Sequence, residues 1–201
     1  MSKTIHAIEA DYSERASAQL RDWFAAKDAI ARAPEAVEGP HAELLTDAQR
    51  AEVAHKQKAE RARERAEEYR REYVELTEER NRALTARVRS LREGVYAVEN
   101  AEVLSRAALA TDAQLGAMME LAATTGNDEL GRAVFVAAEQ RELGDVMHRY
   151  LDAMGEDAHE AYEELRAAPS DEAMERKLAD SDTLFAPPTA QDFAPSLGAA
   201  S

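Results

Sequence analysis

The sequence predicts an all-α fold in which a long charged helix, or coiled-coil rod, is followed by a small helical bundle and an extended C-terminal tail. Alanine, glutamate, arginine and leucine dominate, and 43 of the 201 residues are alanine, a mixture typical of long helices. Apolar residues recur at helical spacing along most of the chain, and this period is lost after residue 180. We therefore expect four segments, at residues 1–43, 44–110, 111–180 and 181–201.

The first segment, residues 1–43, is predicted to be an amphipathic helix followed by a linker. Leu20, Trp23 and Ile30 recur at helical spacing within residues 12–32, which indicates a stripe facing a core. Pro34 ends the pattern, because proline disfavours helical backbone in the residue before it.

The second segment, residues 44–110, is predicted to contain a helix of roughly 70 Å that begins at a capping box formed by Thr46 and Gln49. Before residue 69 its apolar stripe contains only alanine, and there we expect a solvated rod. From residue 69 onward the stripe carries large side chains, which favours packing against another helix of the same or another chain. An isolated charged helix is the alternative. The predicted partner-binding residues of this seam are Tyr69, Tyr73, Leu76, Leu84, Val88 and Leu91.

The third segment, residues 111–180, is predicted to be a bundle of short helices. Thr111 and Gln114 repeat the capping box, and Asn127 and Ser170 are suited to cap two further helices. Gly155 is expected to end a helix. Methionine, leucine and tyrosine side chains at helical spacing between these signals are expected to form the core of the bundle.

The fourth segment, residues 181–201, is predicted to be an extended docking peptide. It is rich in proline, lacks helical periodicity and contains the tripeptide Phe-Ala-Pro twice. A proline-stiffened peptide with spaced aromatic residues suits docking into grooves on another surface, although a passive flexible tail is the alternative. Its predicted partner-binding residues are Leu184, Phe185, Pro187, Phe193, Pro195 and Leu197.

Charge argues against binding to nucleic acid or to anionic membranes. The net charge is −15. Residues 47–93 carry 13 basic and 11 acidic residues, whereas residues 101–201 carry 7 and 20. The acidic half would be repelled by phosphate groups. No apolar run approaches the ~20 residues that span a bilayer, and no secretory leader is visible. We expect a protein made in a cytoplasm, with no nucleic-acid or membrane partner.

The sequence offers no pattern typical of an enzyme. Cysteine is absent, and neither a Gly-x-Ser-x-Gly elbow nor a glycine-rich phosphate loop occurs. Three pairs of the type acid-x-x-His, at 38/41, 145/148 and 156/159, have the spacing of metal ligands on a helix. The first contains Gly39-Pro40, and Gly155 separates the other two. We therefore expect no catalytic residue, no cofactor and no metal site.

One stretch resembles small helical proteins encoded with the virion genes of tailed phages that infect actinobacteria. The resemblance lies in residues 127–134 (NDELGRAV), 144–146 (GDV), 150–151 (YL) and 161–165 (AYEEL). It implies a head or tail component of the virion. We therefore expect a non-enzymatic structural subunit, in the head or the head-tail region, which bridges subunits through its helices and tail. The expected partners are capsid, portal or tail proteins, with possible self-association through the rod. A phage scaffolding protein or chaperone, or a host cytoplasmic coiled-coil adaptor, is the alternative.

Overall fold

The computed structural model describes residues 3–34, 37 and 42–193. These residues form α-helices and two short 3-10 helices, Ala42–Leu44 and Ala190–Phe193, and contain no strand, which confirms the all-α prediction. The α-helices are α1 (Ile5–Arg32), α2 (Asp47–Tyr96), α3 (Ala101–Leu109), α4 (Asp112–Thr125), α5 (Asp128–Glu139), α6 (Gly144–Met154), α7 (Glu156–Arg166) and α8 (Asp171–Leu184).

The chain divides into two compact units, and each unit combines stretches that are distant in the sequence. The first unit contains the chain up to Ile8 and Arg82–Ala168, and the second contains Glu9–Asn81 and the chain from Pro169 onward. The unit boundaries therefore fall inside α1 and α2. Each unit also joins parts of several segments predicted from the sequence.

The local signals at the helix ends behave as predicted. The Thr111 side chain accepts a hydrogen bond from the Gln114 N–H while the Gln114 side chain accepts one from the Thr111 N–H, a complete capping box. The side chains of Asn127 and Ser170 cap α5 and α8 by each accepting one hydrogen bond, from the N–H groups of Leu130 and Ala173. Gly155, with φ +88°, separates α6 from α7. These caps provide partners for backbone N–H groups that a helix leaves unpaired.

The core of the first unit is built around α5. Five side chains of this helix are buried, because α3, α4 and α6 all pack against it. The Phe135 ring lies at its centre, 4.8 Å from the Tyr150 ring and 5.3 Å from the Tyr162 ring. The buried side chains of α5 are Ala133, Val134, Phe135, Ala137 and Ala138.

The second unit consists of α1 packed antiparallel against α2, with α8 as a third helix. Hydrogen bonds run from Arg80 to Glu9 near one end of the pair and from Lys58 Nζ to the Ala31 carbonyl near the other, the latter at 3.1 Å. Between these ends lies an aromatic cluster that contains Trp23, and Phe185 at the end of α8 enters it.

The alanine part of the α2 stripe was predicted to be solvated, and this prediction is wrong. Ala59, Ala62 and Ala66 are 6%, 0% and 1% exposed. Ala66 belongs to the same buried cluster as Tyr12, Ala16 and Trp23 of α1, so large side chains of α1 cover this end of the stripe.

Candidate interaction surface

The seam residues Tyr69, Tyr73 and Leu76 of α2 lie in the core of the second unit and not on a free surface. The Tyr73 ring lies 5.4 Å from Phe185, and the Tyr12 hydroxyl donates a hydrogen bond to the Tyr73 hydroxyl at 2.9 Å. Burial raises the pKa of Tyr73 well above its ordinary value, so this hydroxyl stays neutral. Tyr73 and Leu76 are therefore unavailable to a partner in this conformation, and Tyr69 is half-buried against the same cluster.

The remaining seam residues belong to the first unit and are also largely covered. Leu84 is completely buried, Leu91 is 5% exposed, and Val88 is half-buried. Their burial within one chain means that the seam does not need a second chain to cover it. Self-association through the rod was predicted to use Leu84 and Leu91, and neither side chain is exposed to a second chain.

The C-terminal segment differs from the predicted extended peptide. Helix α8 continues to Leu184, and Phe185 is 2% exposed between Trp23 and Tyr73. Phe185 is buried because the removal of a large aromatic side chain from water stabilises the fold, whereas exposure on a free tail does not. Leu184 and Phe193 are half-buried and Pro187 is exposed. Pro195 and Leu197 lie outside the described residues.

The exposed apolar surface of the first unit lies elsewhere, on α3 and α4. Leu109, at the end of α3, is 86% exposed, and Leu121 of α4 is 55% exposed. A groove of about 440 Å³ lies between the two helices. Its lining residues are Arg106, Leu109, Ala110, Gln114, Ala117 and Met118. We call the groove together with Leu121 the α3–α4 surface.

Sequence reasoning missed this surface because only one apolar face was assigned to α4. The inner face is formed by Leu115, Met119 and Ala122, which are buried. Ala117 and Leu121 lie on the opposite side and are exposed. The sequence of α4 indicates this second apolar face, since Asp112 and Glu120 are the only charged residues of the helix. A helix with apolar residues on two opposite faces needs cover on more than one face.

Arg141 holds the corner between α3 and α4 in place. Its guanidinium donates to the carbonyls of Ala108 and Ala110, each at 2.6 Å, and lies 3.2 Å from the Asp112 carboxylate. These bonds occupy carbonyl groups that the end of α3 leaves unpaired. The groove is therefore bounded by a fixed corner.

A second concave region, of about 450 Å³, lies at α6 and α7 and contains His148 and His159. The His159 ring lies 3.1 Å from the Asp152 carboxylate, which is not one of the acid-x-x-His partners considered in the sequence. Among residues 3–34, 37 and 42–193, no three side chains of metal-binding type come together. The pair at 38/41 lies outside these residues.

Among the described helices, none is long and apolar enough to cross a membrane. Comparisons of the chain with models of protein families, with curated proteins and with solved structures found no match.

Proposed function

We propose that the chain is a non-enzymatic structural subunit of a tailed-phage virion, in the head or the head-tail region, and that it joins the particle through the α3–α4 surface. The observation that carries the interaction role is the exposure of Leu109 at the groove and of Leu121 about one turn beyond its last lining residue on α4. Clustered apolar exposure of this kind is a mark of protein–protein contact sites. The virion assignment draws support from the sequence resemblance in residues 127–165.

The structure changes the expected mode of attachment. The large side chains of the α2 seam and Phe185 make contacts within the chain. We therefore no longer favour attachment to the particle through the seam of the long helix or through an extended tail that docks both of its Phe-Ala-Pro copies. A capsid, portal or tail protein that contacts the α3–α4 surface is the partner that we propose. Neither nucleic acid nor a membrane is part of this proposal.

The same surface would also serve a phage assembly factor, such as a scaffolding protein or chaperone. The two functions differ in where the chain resides at the end of assembly. Quantitative mass spectrometry of purified mature particles, compared with immature particles from the same infection, separates them. We expect the chain at a fixed copy number in both. Its loss from mature particles would indicate a scaffolding protein, and its absence from both would contradict any virion role and leave an assembly chaperone or a host adaptor.

A further inference from the structure

The groove of the α3–α4 surface has the spacing of a helix-binding site. Along α4, Gln114, Ala117, Met118 and Leu121 follow the i, i+3, i+4, i+7 pattern and therefore share one side of the helix. Leu109 lies across the groove from this row, at the end of α3. Small alanine side chains between larger ones leave room for the side chains of another helix to enter.

The size of the surface favours a single helix over a globular partner face. A standard protein interface uses about 20–30 residues on each side. Among the described residues of the first unit, the exposed large apolar side chains are Leu109 and Leu121, which are too few for the core of such an interface.

The charged side chains at the groove indicate which charge the partner helix carries. Within the part of the chain that the structure describes, the Asp112 and Glu120 carboxylates of α4 are engaged by Arg141 and Arg149. Arg106 lines the groove, and no ion pair of its guanidinium is found among the described residues. A carboxylate on the incoming helix would complement this cation.

We propose that the α3–α4 groove binds one amphipathic α-helix of a partner protein, whose apolar stripe carries an aspartate or glutamate that pairs with Arg106. This inference rests on the proposed function for the identity of the assembly, but not for the chemistry of the contact. Leucine-sized side chains of the helix would fit between Leu109 and the α4 row, in the helix-in-groove mode of recognition.

The test uses two synthetic peptides of about 16 residues, long enough for about four helical turns. Both carry leucines at i, i+3, i+7 and i+10 and a helix-stabilising staple. One has glutamates flanking the stripe, and the other has lysines at the same positions. Fluorescence anisotropy with the full chain measures their binding. We expect the glutamate peptide to bind about fivefold or more tightly than the lysine peptide, as one exposed charge pair contributes up to ~1 kcal/mol and its reversal adds repulsion.

Matched variants locate the site. Leu109→Glu and Ala117→Gln should each weaken binding of the glutamate peptide about tenfold or more, because the first removes an apolar anchor and the second fills the groove with an uncharged polar side chain. Leu44→Glu is the control for Leu109→Glu, since Leu44 is 79% exposed but lies in the second unit. Arg106→Glu should reverse the preference between the two peptides, whereas Arg63→Glu, an exposed site on α2, should not. Circular dichroism melts establish that the variants fold.

Three outcomes would overturn the inference: neither peptide binds, both bind equally, or Leu44→Glu weakens binding as much as Leu109→Glu. A concentration-dependent dimer in light scattering that Leu109→Glu dissociates would also overturn it, by identifying a second copy as the occupant. Failure of the peptides would leave the proposed function standing if Leu109→Glu still reduced incorporation into particles. If the glutamate peptide binds but the protein is absent from purified particles, the proposed virion function is refuted and the proposed helix-binding groove is not.

Discussion

At the scale of single residues, a glycine allows a tight helix–helix contact in the first unit. Gly131 lies in α5, where a Cβ atom would stand 3.1 Å from Tyr150 Cε2 and 3.2 Å from Cδ2. The Tyr150 ring is 4% exposed and packs against Phe135, so it has little room to move. The absence of a side chain at residue 131 is therefore what allows α5 to approach the Tyr150 ring of α6.

Replacing this glycine tests the packing. We expect Gly131→Ala to lower the free energy of unfolding by about 1 kcal/mol, because overpacking costs ~1–3 kcal/mol while the gain in helix propensity is ~1 kcal/mol. Gly116→Ala is the matched control, since nothing lies within 4 Å of a Cβ atom there, and it should raise stability by up to ~1 kcal/mol. Urea unfolding measures both. Equal stabilisation by the two substitutions would show that α5 and α6 are less tightly packed than described.

A second residue-scale prediction concerns the ion pair between Arg87 and Glu164 in the first unit. The guanidinium donates to the Glu164 carboxylate at 2.9 and 2.5 Å, and the Ile5 N–H donates to it at 2.6 Å. The hydrogen bonds from Arg87, which have the largest effect, and the hydrogen bond from Ile5 lower the pKa of Glu164 below its ordinary value of 4.5. The unfolded chain binds the proton more readily, so the stabilisation is complete above about pH 4.5 and is lost as the pH falls through the folded pKa.

The corresponding variant is Glu164→Gln, with Glu160→Gln on the exposed side of α7 as control. At neutral pH Glu164→Gln should lower the free energy of unfolding by about 1.5–3 kcal/mol, the contribution of hydrogen bonds to a charged group. The difference from the parent chain should shrink as the pH falls below 4.5, and Glu160→Gln should have little effect at any pH. Chemical denaturation at several pH values provides the measurement. A difference that does not depend on pH would mean that the charge of Glu164 contributes nothing.

At the scale of helices, the sequence was informative wherever the determinant is local. The capping box of Thr111 and Gln114, the cap at Asn127 and the break at Gly155 depend on residues within one turn, and all three were predicted correctly. The burial of the alanine stripe and the docking of Phe185 depend on contacts between distant segments. Periodicity shows that a face is apolar, but it does not show which helix will cover it.

The docking of α8 is the element-scale feature that most needs testing. Phe185 packs between Trp23 and Tyr73, with ring centroids 6.3 and 5.4 Å away. Phe185→Ala should lower the free energy of unfolding of the second unit by about 3–5 kcal/mol and make α8 sensitive to proteases. Phe24→Ala is the control, because Phe24 is 57% exposed and its loss should change stability by no more than about 0.5 kcal/mol. Equal, small effects of the two substitutions would contradict the docking of α8 by Phe185.

At the scale of the whole molecule, the chain uses its large apolar residues chiefly to complete its own two units. That the chain has a surface for another protein stays a prediction, which the sequence placed on the α2 seam and the C-terminal segment. The location of the exposed apolar surface could not be predicted, because the seam residues Leu84 and Leu91 and the exposed residues Leu109 and Leu121 are equally apolar in the sequence. Tertiary packing covers the first pair and leaves the second pair in solvent.

We propose that the chain enters a tailed-phage particle through the α3–α4 surface. This proposal is tested most directly by the copy number of the chain, measured by quantitative mass spectrometry, in phage particles assembled with the Leu109→Glu, Leu121→Glu double variant or with Leu44→Glu. We expect the double variant to fall at least about tenfold below the unmodified chain, as two lost anchors of 1 kcal/mol or more would require, and Leu44→Glu to incorporate normally. Normal incorporation of a folded double variant would contradict the assignment of this surface.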